Sequence, residues 1–223
     1  INEGHNAYMI SLEKNENNFE IWQTVLQLDI ETKNYDNLLK ESETALEIFP
    51  NQATFWYYNG TAHWFKKNYE EAAFALEQGK RILVNNPPFL GQFEAQMGDV
   101  YNALKQYSKS DAAFENALKL NPDNPHVLNN YSYFLSIRRK KLAKAEEMAK
   151  HLVTQEPDNP TYLDTYGWVL YAAQKFDEAS INLEKAAKAS PNSATITEHY
   201  GDVLFKTKKV EEAVIQWKKA KEL

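Results

Sequence analysis

Five histidines, at positions 5, 63, 126, 151 and 199, and 31 acidic residues are the groups of this chain that could move protons or hold a metal ion, and cysteine is absent. A helical zinc site needs two histidines one turn apart with a carboxylate to complete the set, and no two of these histidines are spaced i, i+4. The spacing predicts no metal site. His199, next to Glu198 and near Asp202, has the residue types of an acid/base cluster, but a polar helix face explains the three more simply. Glu70-Glu71, Asp177-Glu178 and Glu211-Glu212 stand where helices should begin, so each pair complements a positive helix terminus, contributing a few tenths of a kcal/mol, and is not a catalytic pair. Glycine-rich phosphate loops and nucleophile elbows are also missing. Asn59-Gly60-Thr61 matches a glycosylation sequon but falls inside a helix that must pack. The expectation is a chain with no catalytic residue, no metal ligand and no cofactor.

The elements that hold these groups are helices. Of 223 residues only 7 are Gly and 8 are Pro, 43% are hydrophobic, and Ala, Leu, Glu and Lys are abundant, which suits helices joined by short turns. A net charge of −6 and a pI near 5.5 argue against a phosphate-binding surface and against anionic membranes. The densest basic run, Arg138-Arg139-Lys140-Lys141, falls at a turn between helices and reads as solvated. No run approaches the ~20 apolar residues that span a bilayer. The absence of cysteine does not fix a compartment, since a packed helical array needs no disulfide.

The helices recur. Gly167 and Gly201, Ala179 and Ala213, Ala186 and Ala220, and Pro157 and Pro191 are each 34 residues apart. Counting the recurring Gly as position 8, small residues return at 8, 20 and 27 and Pro at 32. The clearest unit, 160–193, carries Tyr166-Gly167, Phe176, Ala179, Leu183, Ala186 and Pro191; 194–223 follows with Tyr200-Gly201, Ala213, Trp217 and Ala220. Upstream, Met97-Gly98, Ser110, Phe114, Ala117 and Pro122 mark 91–124, and Tyr131-Ser132, Ala145, Ala149 and Pro157 mark 125–159. Unit 53–90 keeps Trp56, Gly60, Ala72, Leu76 and Gly79 but adds about four residues at Asn85-Asn86-Pro87-Pro88, read as a spacer or longer turn; 19–52 is the most worn. Residues 1–14 read as a lone second helix, which would make the chain a fragment or processed form starting inside a repeat. A small residue at position 8 lets the second helix approach the first, and large residues such as Trp56, Tyr101, Phe114 and Trp217 fill the remaining gaps.

This pattern resembles the tetratricopeptide repeat (TPR) family over essentially the whole chain, and its style is similar to bacterial members, some of them exported to the cell envelope; the compartment, envelope or cytoplasm, stays open. The resemblance implies an all-α solenoid, one domain over 1–223, of thirteen helices paired as A and B in a right-handed superhelix. It also implies a concave groove lined by helix A at positions 2, 5, 9, 12 and 13. Those positions hold Gln23 and Gln27; Tyr57, Thr61 and Trp64; Asp99 and Asn102; Asn129 (or Asn130) and Tyr133; Asp164, Trp168 and Tyr171; and Glu198, Asp202 and Phe205. The branch that grips a peptide's terminal carboxylate uses Lys, Arg and Asn there; with almost no Lys or Arg at these positions, that function is not carried over.

A lining of rings, amides and carboxylates suits an extended peptide or protein segment with apolar and basic side chains. The expected function is that of a noncatalytic scaffold or adaptor. The alternatives are a self-assembling module, homo-oligomeric through its repeat ends or convex face, and a regulatory or targeting arm of a larger protein.

Overall fold

A computed structural model describes residues 2–223, with side chains from residue 4 onward. Among the described residues there are thirteen helices and no strand. In chain order they are α1 (Asn2–Lys14), α2 (Phe19–Glu31), α3 (Tyr35–Ile48), α4 (Ala53–Phe65), α5 (Tyr69–Ile82), α6 (Pro87–Ala103), α7 (Tyr107–Leu120), α8 (Pro125–Ile137), α9 (Leu142–Gln155), α10 (Pro160–Ala172), α11 (Phe176–Ala189), α12 (Ala194–Lys206) and α13 (Val210–Glu222). From α2 onward the even-numbered helices are A helices and the odd-numbered ones B helices. This is an all-α solenoid of tandem helical repeats. The helices fall into two compact units, Ile1–Pro122 and Asp123–Leu223.

Local rules place the boundaries. Asn18, Asn124, Asn159 and Ser193 each accept hydrogen bonds from backbone N–H groups in the first turn of the A helix that follows, satisfying donors that a helix start leaves open. Pro125 and Pro160 occupy first-turn positions where no N–H is needed. Between A and B the chain reverses through one left-handed residue: Lys33, Lys67, Lys105, Gln174 and Lys208 all have φ between 57° and 66°. The next residue's N–H closes each turn on a carbonyl inside the A helix, as in Asn68 to His63 at 2.9 Å and Lys209 to Leu204 at 2.9 Å. Glycine is the usual residue here, and this chain uses none.

Within a repeat the expected small-to-large contact is present. A Cβ on Gly98 would lie 2.5 Å from the Phe114 ring, and one on Gly167 would lie 2.6 Å from Leu183 Cγ. Bare backbone at these two positions is what lets α7 close on α6 and α11 on α10. In unit 1, Trp22, Val25, Leu26, Leu38, Ala45 and Phe55 form one buried cluster, and Ala72, Leu76, Phe93, Met97 and Val100 form another. In unit 2, Leu170, Ala179, Leu183 and Val203 pack together, with a smaller group of Leu163, Ala186 and Ile196.

The four added residues do something other than lengthen a turn. Asn86 caps α6 by accepting from Phe89 N–H, and both Pro87 and Pro88 lie in its first turn. α6 therefore runs 17 residues where every other A helix has 13. Two prolines in succession are compatible with helix only at its start, where their fixed φ is preorganised and their missing N–H groups are not used. The insert thus becomes an extra helical turn, beginning four residues ahead of the predicted repeat start at 91.

Candidate partner-binding surface

In unit 1 the A helices α2, α4 and α6 enclose a hollow of about 570 Å³. Gln23, Gln27 and Tyr57 line it together, joined by Tyr58, Asn86, Pro88, Phe89 and Gln92. The extra turn of α6 supplies Pro88 and Phe89 to its wall. Tyr58 Oη donates to Gln27 Oε1 at 3.2 Å, orienting one amide at the rim. The Tyr57 ring packs against Phe89 and Phe93, with centroids 5.3 and 5.2 Å apart. Burial, with smaller contributions from Tyr58 and Asp99, pushes its phenol up to about 12, so it stays a neutral hydrogen-bonding group.

The remaining expected groove positions of unit 1 are more enclosed. Thr61 is buried, its hydroxyl donating to the Tyr57 carbonyl at 2.8 Å and paired with the Gln96 amide. Asp99 is buried as well. Trp64 packs on Tyr69 with centroids 5.2 Å apart and belongs to a core cluster, and Asn102 is half-buried.

In unit 2 the A-helix residues assemble around a ladder of rings. Trp168 stacks with Tyr171, centroids 4.7 Å apart and planes 5° from parallel, and with His199, 4.0 Å apart at 17°. Tyr133 approaches His199 at 6.2 Å. His199 Nδ1 is 2.9 Å from Asp164 Oδ1, both side chains almost fully buried, so the carboxylate fixes which face of the imidazole meets Trp168. Burial, followed by Asp164 and Glu198, raises the Tyr133 phenol; burial and Asp202 raise that of Tyr171, with Arg139 opposing. Glu198 and Asp202 flank His199 on α12. Asp202 also accepts from Trp217 Nε1 at 2.9 Å, and Phe205 stays half exposed with its ring 5.6 Å from Trp217. Asn129 bonds Asn130 through its Nδ2, while its Oδ1 is buried without a partner.

Some contributors were not among the expected positions. Phe89 lies beside the segment expected to be a turn, and Gln92, at position 2 of the repeat that starts at 91, is not among the expected lining residues. His199, expected on a polar helix face, is instead buried; the 35-residue offset from Asp164, which puts both on neighbouring A helices, is the signal for their meeting. A third group lies outside the A-helix faces: His5 on α1, Asp29 on α2 and Glu41 on α3 converge, with His5 Nε2 3.3 Å from Asp29 Oδ1 and 3.2 Å from Glu41 Oε2. No i, i+4 search could find it, because its members come from three helices. Asp29 Oδ2 is buried with no donor on the protein, and Glu41 could offer one only by taking up a proton. Burial, reinforced by Glu41, accordingly pushes Asp29 up to about 7, and burial raises Glu41 too.

Tetratricopeptide repeat family models match residues 95–124 and 167–220. Together with the thirteen tandem helices among the described residues, these matches make the chain a tetratricopeptide repeat protein. YrrB, described as a TPR protein with an unusual peptide-binding site, is 20% identical with a TM-score of 0.65, over 85% of this chain and 95% of its own. A tetratricopeptide repeat protein from Parabacteroides merdae is 15% identical with a TM-score of 0.73, over 98% and 84%. A chain of the APC/C hetero-tetramer Cut9–Hcn1 is 12% identical with a TM-score of 0.79, over 97% of this chain and 43% of its own. At these identities the likeness is one of fold. No curated protein matches the sequence. The repeats make the chain a protein–protein interaction module, and none of its described helices is long and apolar enough to cross a membrane.

Proposed function

We propose that this protein is a noncatalytic adaptor that holds an extended segment of a partner protein on its A-helix faces. The observation that carries this reading is the ring ladder of unit 2, Tyr171, Trp168 and His199, with Tyr133 alongside and Glu198 and Asp202 close by. Preorganised aromatic surface costs little conformational entropy on binding, and carboxylates around it favour Lys or Arg on the incoming segment. The hollow of unit 1 is of a size to take an apolar side chain, and Gln23, Gln27 and Gln92 at its wall can bond an extended backbone. The likeness to YrrB, whose own site binds peptide, is in keeping with this use of the fold.

The test is crosslinking capture from the native extract with the wild-type chain, a variant carrying Tyr57→Glu, Tyr133→Glu and Trp168→Ala, and a milder Gln23→Lys, Glu198→Lys variant. Phe74→Glu and Ile181→Glu, at exposed positions on B helices, serve as controls. Circular dichroism checks that each is helical. The A-helix variants should lose a partner that the wild type and the B-helix controls retain; equal recovery by all of them would rule out these faces.

A further inference from the structure

We propose that His5, Asp29 and Glu41 form a binding site for a first-row divalent cation of the zinc class, joining α1 to the first helix pair. Zinc bonds of about 2.0–2.1 Å, set at tetrahedral angles, separate neighbouring ligand atoms by about 3.3–3.4 Å. His5 Nε2 stands 3.3 Å from Asp29 Oδ1 and 3.2 Å from Glu41 Oε2, and one ligand atom from each of the three residues lies within 4.8 Å of the others. One nitrogen and two carboxylate oxygens make a donor set suited to zinc, whereas calcium and magnesium prefer oxygen alone.

Burial supplies a second, independent argument. Asp29 is only 1% exposed and Glu41 7%, and Asp29 Oδ2 has no hydrogen-bond donor. Two carboxylates enclosed beside one imidazole lack enough positive charge to balance them, and an unpaired buried carboxylate oxygen is costly. A divalent cation answers both the charge and the orphaned oxygen. His5 and Asp29 border a hollow of about 220 Å³, also lined by Asn6, Leu28, Thr32, Asn34 and Asn37. That opening gives an ion a polar route in and leaves room for water as a fourth ligand.

Ligands from three helices would let an ion strengthen the docking of α1, which already buries Leu12 against the first helix pair. The 223-residue chain, stripped with a chelator and dialysed, is titrated with Zn²⁺ by calorimetry and with Co²⁺ by visible absorption. The expected results are one tight site, the intense visible bands of four-coordinate Co²⁺, and a melting temperature that rises with free zinc. His5→Gln, Asp29→Asn and Glu41→Gln should each weaken zinc binding more than about 10-fold, a loss that removing mere supporting groups already produces. His151→Gln, which alters the exposed His151–Asp123 pair, should change nothing.

Circular dichroism identifies any of the three variants that fails to fold; those that fold, and the wild type's own zinc titration, decide the question. Absence of a stoichiometric site in the wild type, or unchanged binding in folded ligand variants, would overturn the proposal and leave a triad held by protons alone.

Discussion

The imidazole of His199 lies over the indole of Trp168, their centroids 4.0 Å apart, while its Nδ1 meets the Asp164 carboxylate at 2.9 Å. One residue on α12 thus joins a ring and a carboxylate that both come from α10. His199→Ala should remove the stack and leave Asp164 buried without its partner, costing about 1–3 kcal/mol. Denaturant unfolding followed by far-UV circular dichroism gives the stability, and near-UV dichroism should show loss of an aromatic signal. A change in stability below a few tenths of a kcal/mol would mean that the contact is incidental.

Gly98 and Phe114 test the close approach of A and B helices. Gly98→Ala places a methyl 2.5 Å from a ring that is itself fully buried, so repacking must cost about 1–3 kcal/mol despite the better helix propensity of Ala. Phe114→Leu opens a gap and destabilises alone. Combined, the two should cost less than the sum of the separate losses, and chemical denaturation of all four proteins measures that coupling. Strict additivity would contradict the contact.

The left-handed lysines offer stability to be gained. Lys67 and Lys208 hold φ of 62° and 66°, a conformation costing a residue with a Cβ about 1–2 kcal/mol and glycine almost nothing. Glycine also loosens the unfolded chain, which takes back about 0.4–1 kcal/mol. Lys67→Gly and Lys208→Gly should each therefore gain about 0.5–1 kcal/mol. The same change at exposed Lys185, inside α11, should lose about 1 kcal/mol. Thermal unfolding of the three variants checks the contrast in sign.

His63 should give the fold a dependence on pH. Burial holds its imidazole below the usual value, Glu71 and Glu43 oppose this, and Lys66 adds to it; its Nδ1 is buried without a hydrogen-bond partner. With the folded value below the unfolded one, His63 leaves stability intact above about pH 6.5 and lowers it as pH falls, because the unfolded chain then takes up the proton more readily. His63→Gln should flatten that portion of the stability curve between pH 7 and pH 5. Parallel curves for wild type and variant would remove His63 as the cause.

Helices and their pairing were legible because the signals are local and repeated. Asn-Pro before α8 and α10, and Gly-to-Ala spacings shared by successive units, each follow from one helix start or one helix–helix contact. Asn86-Pro87-Pro88 was harder, because the same three residues serve a turn or the first turn of a helix, and only the packing of Phe89 on Tyr57 and Phe93 distinguishes them. Counting repeat positions placed Gln23, Gln27 and Tyr57 on one face without revealing which residues would complete it. The convergence of His5, Asp29 and Glu41 was beyond such counting, since contacts among three helices have no fixed interval in sequence. Thr61, Asp99 and Asp164 sit at positions counted as lining and are nevertheless buried, because counting fixes a direction around the helix and not how deeply neighbours cover it.

The long helix α6 has a consequence for how a bound chain could find its place. Identical units present an extended ligand with equivalent berths, and a segment shifted by one whole repeat would meet the same chemistry again. Four extra residues add about one turn, roughly 6 Å of rise, and so break this translational equivalence without turning the helix far from its original phase. Phe89 occurs on that added turn, at the wall of the hollow. For a segment bound as proposed, the repeat would thereby have an origin, a point from which its registry could be counted.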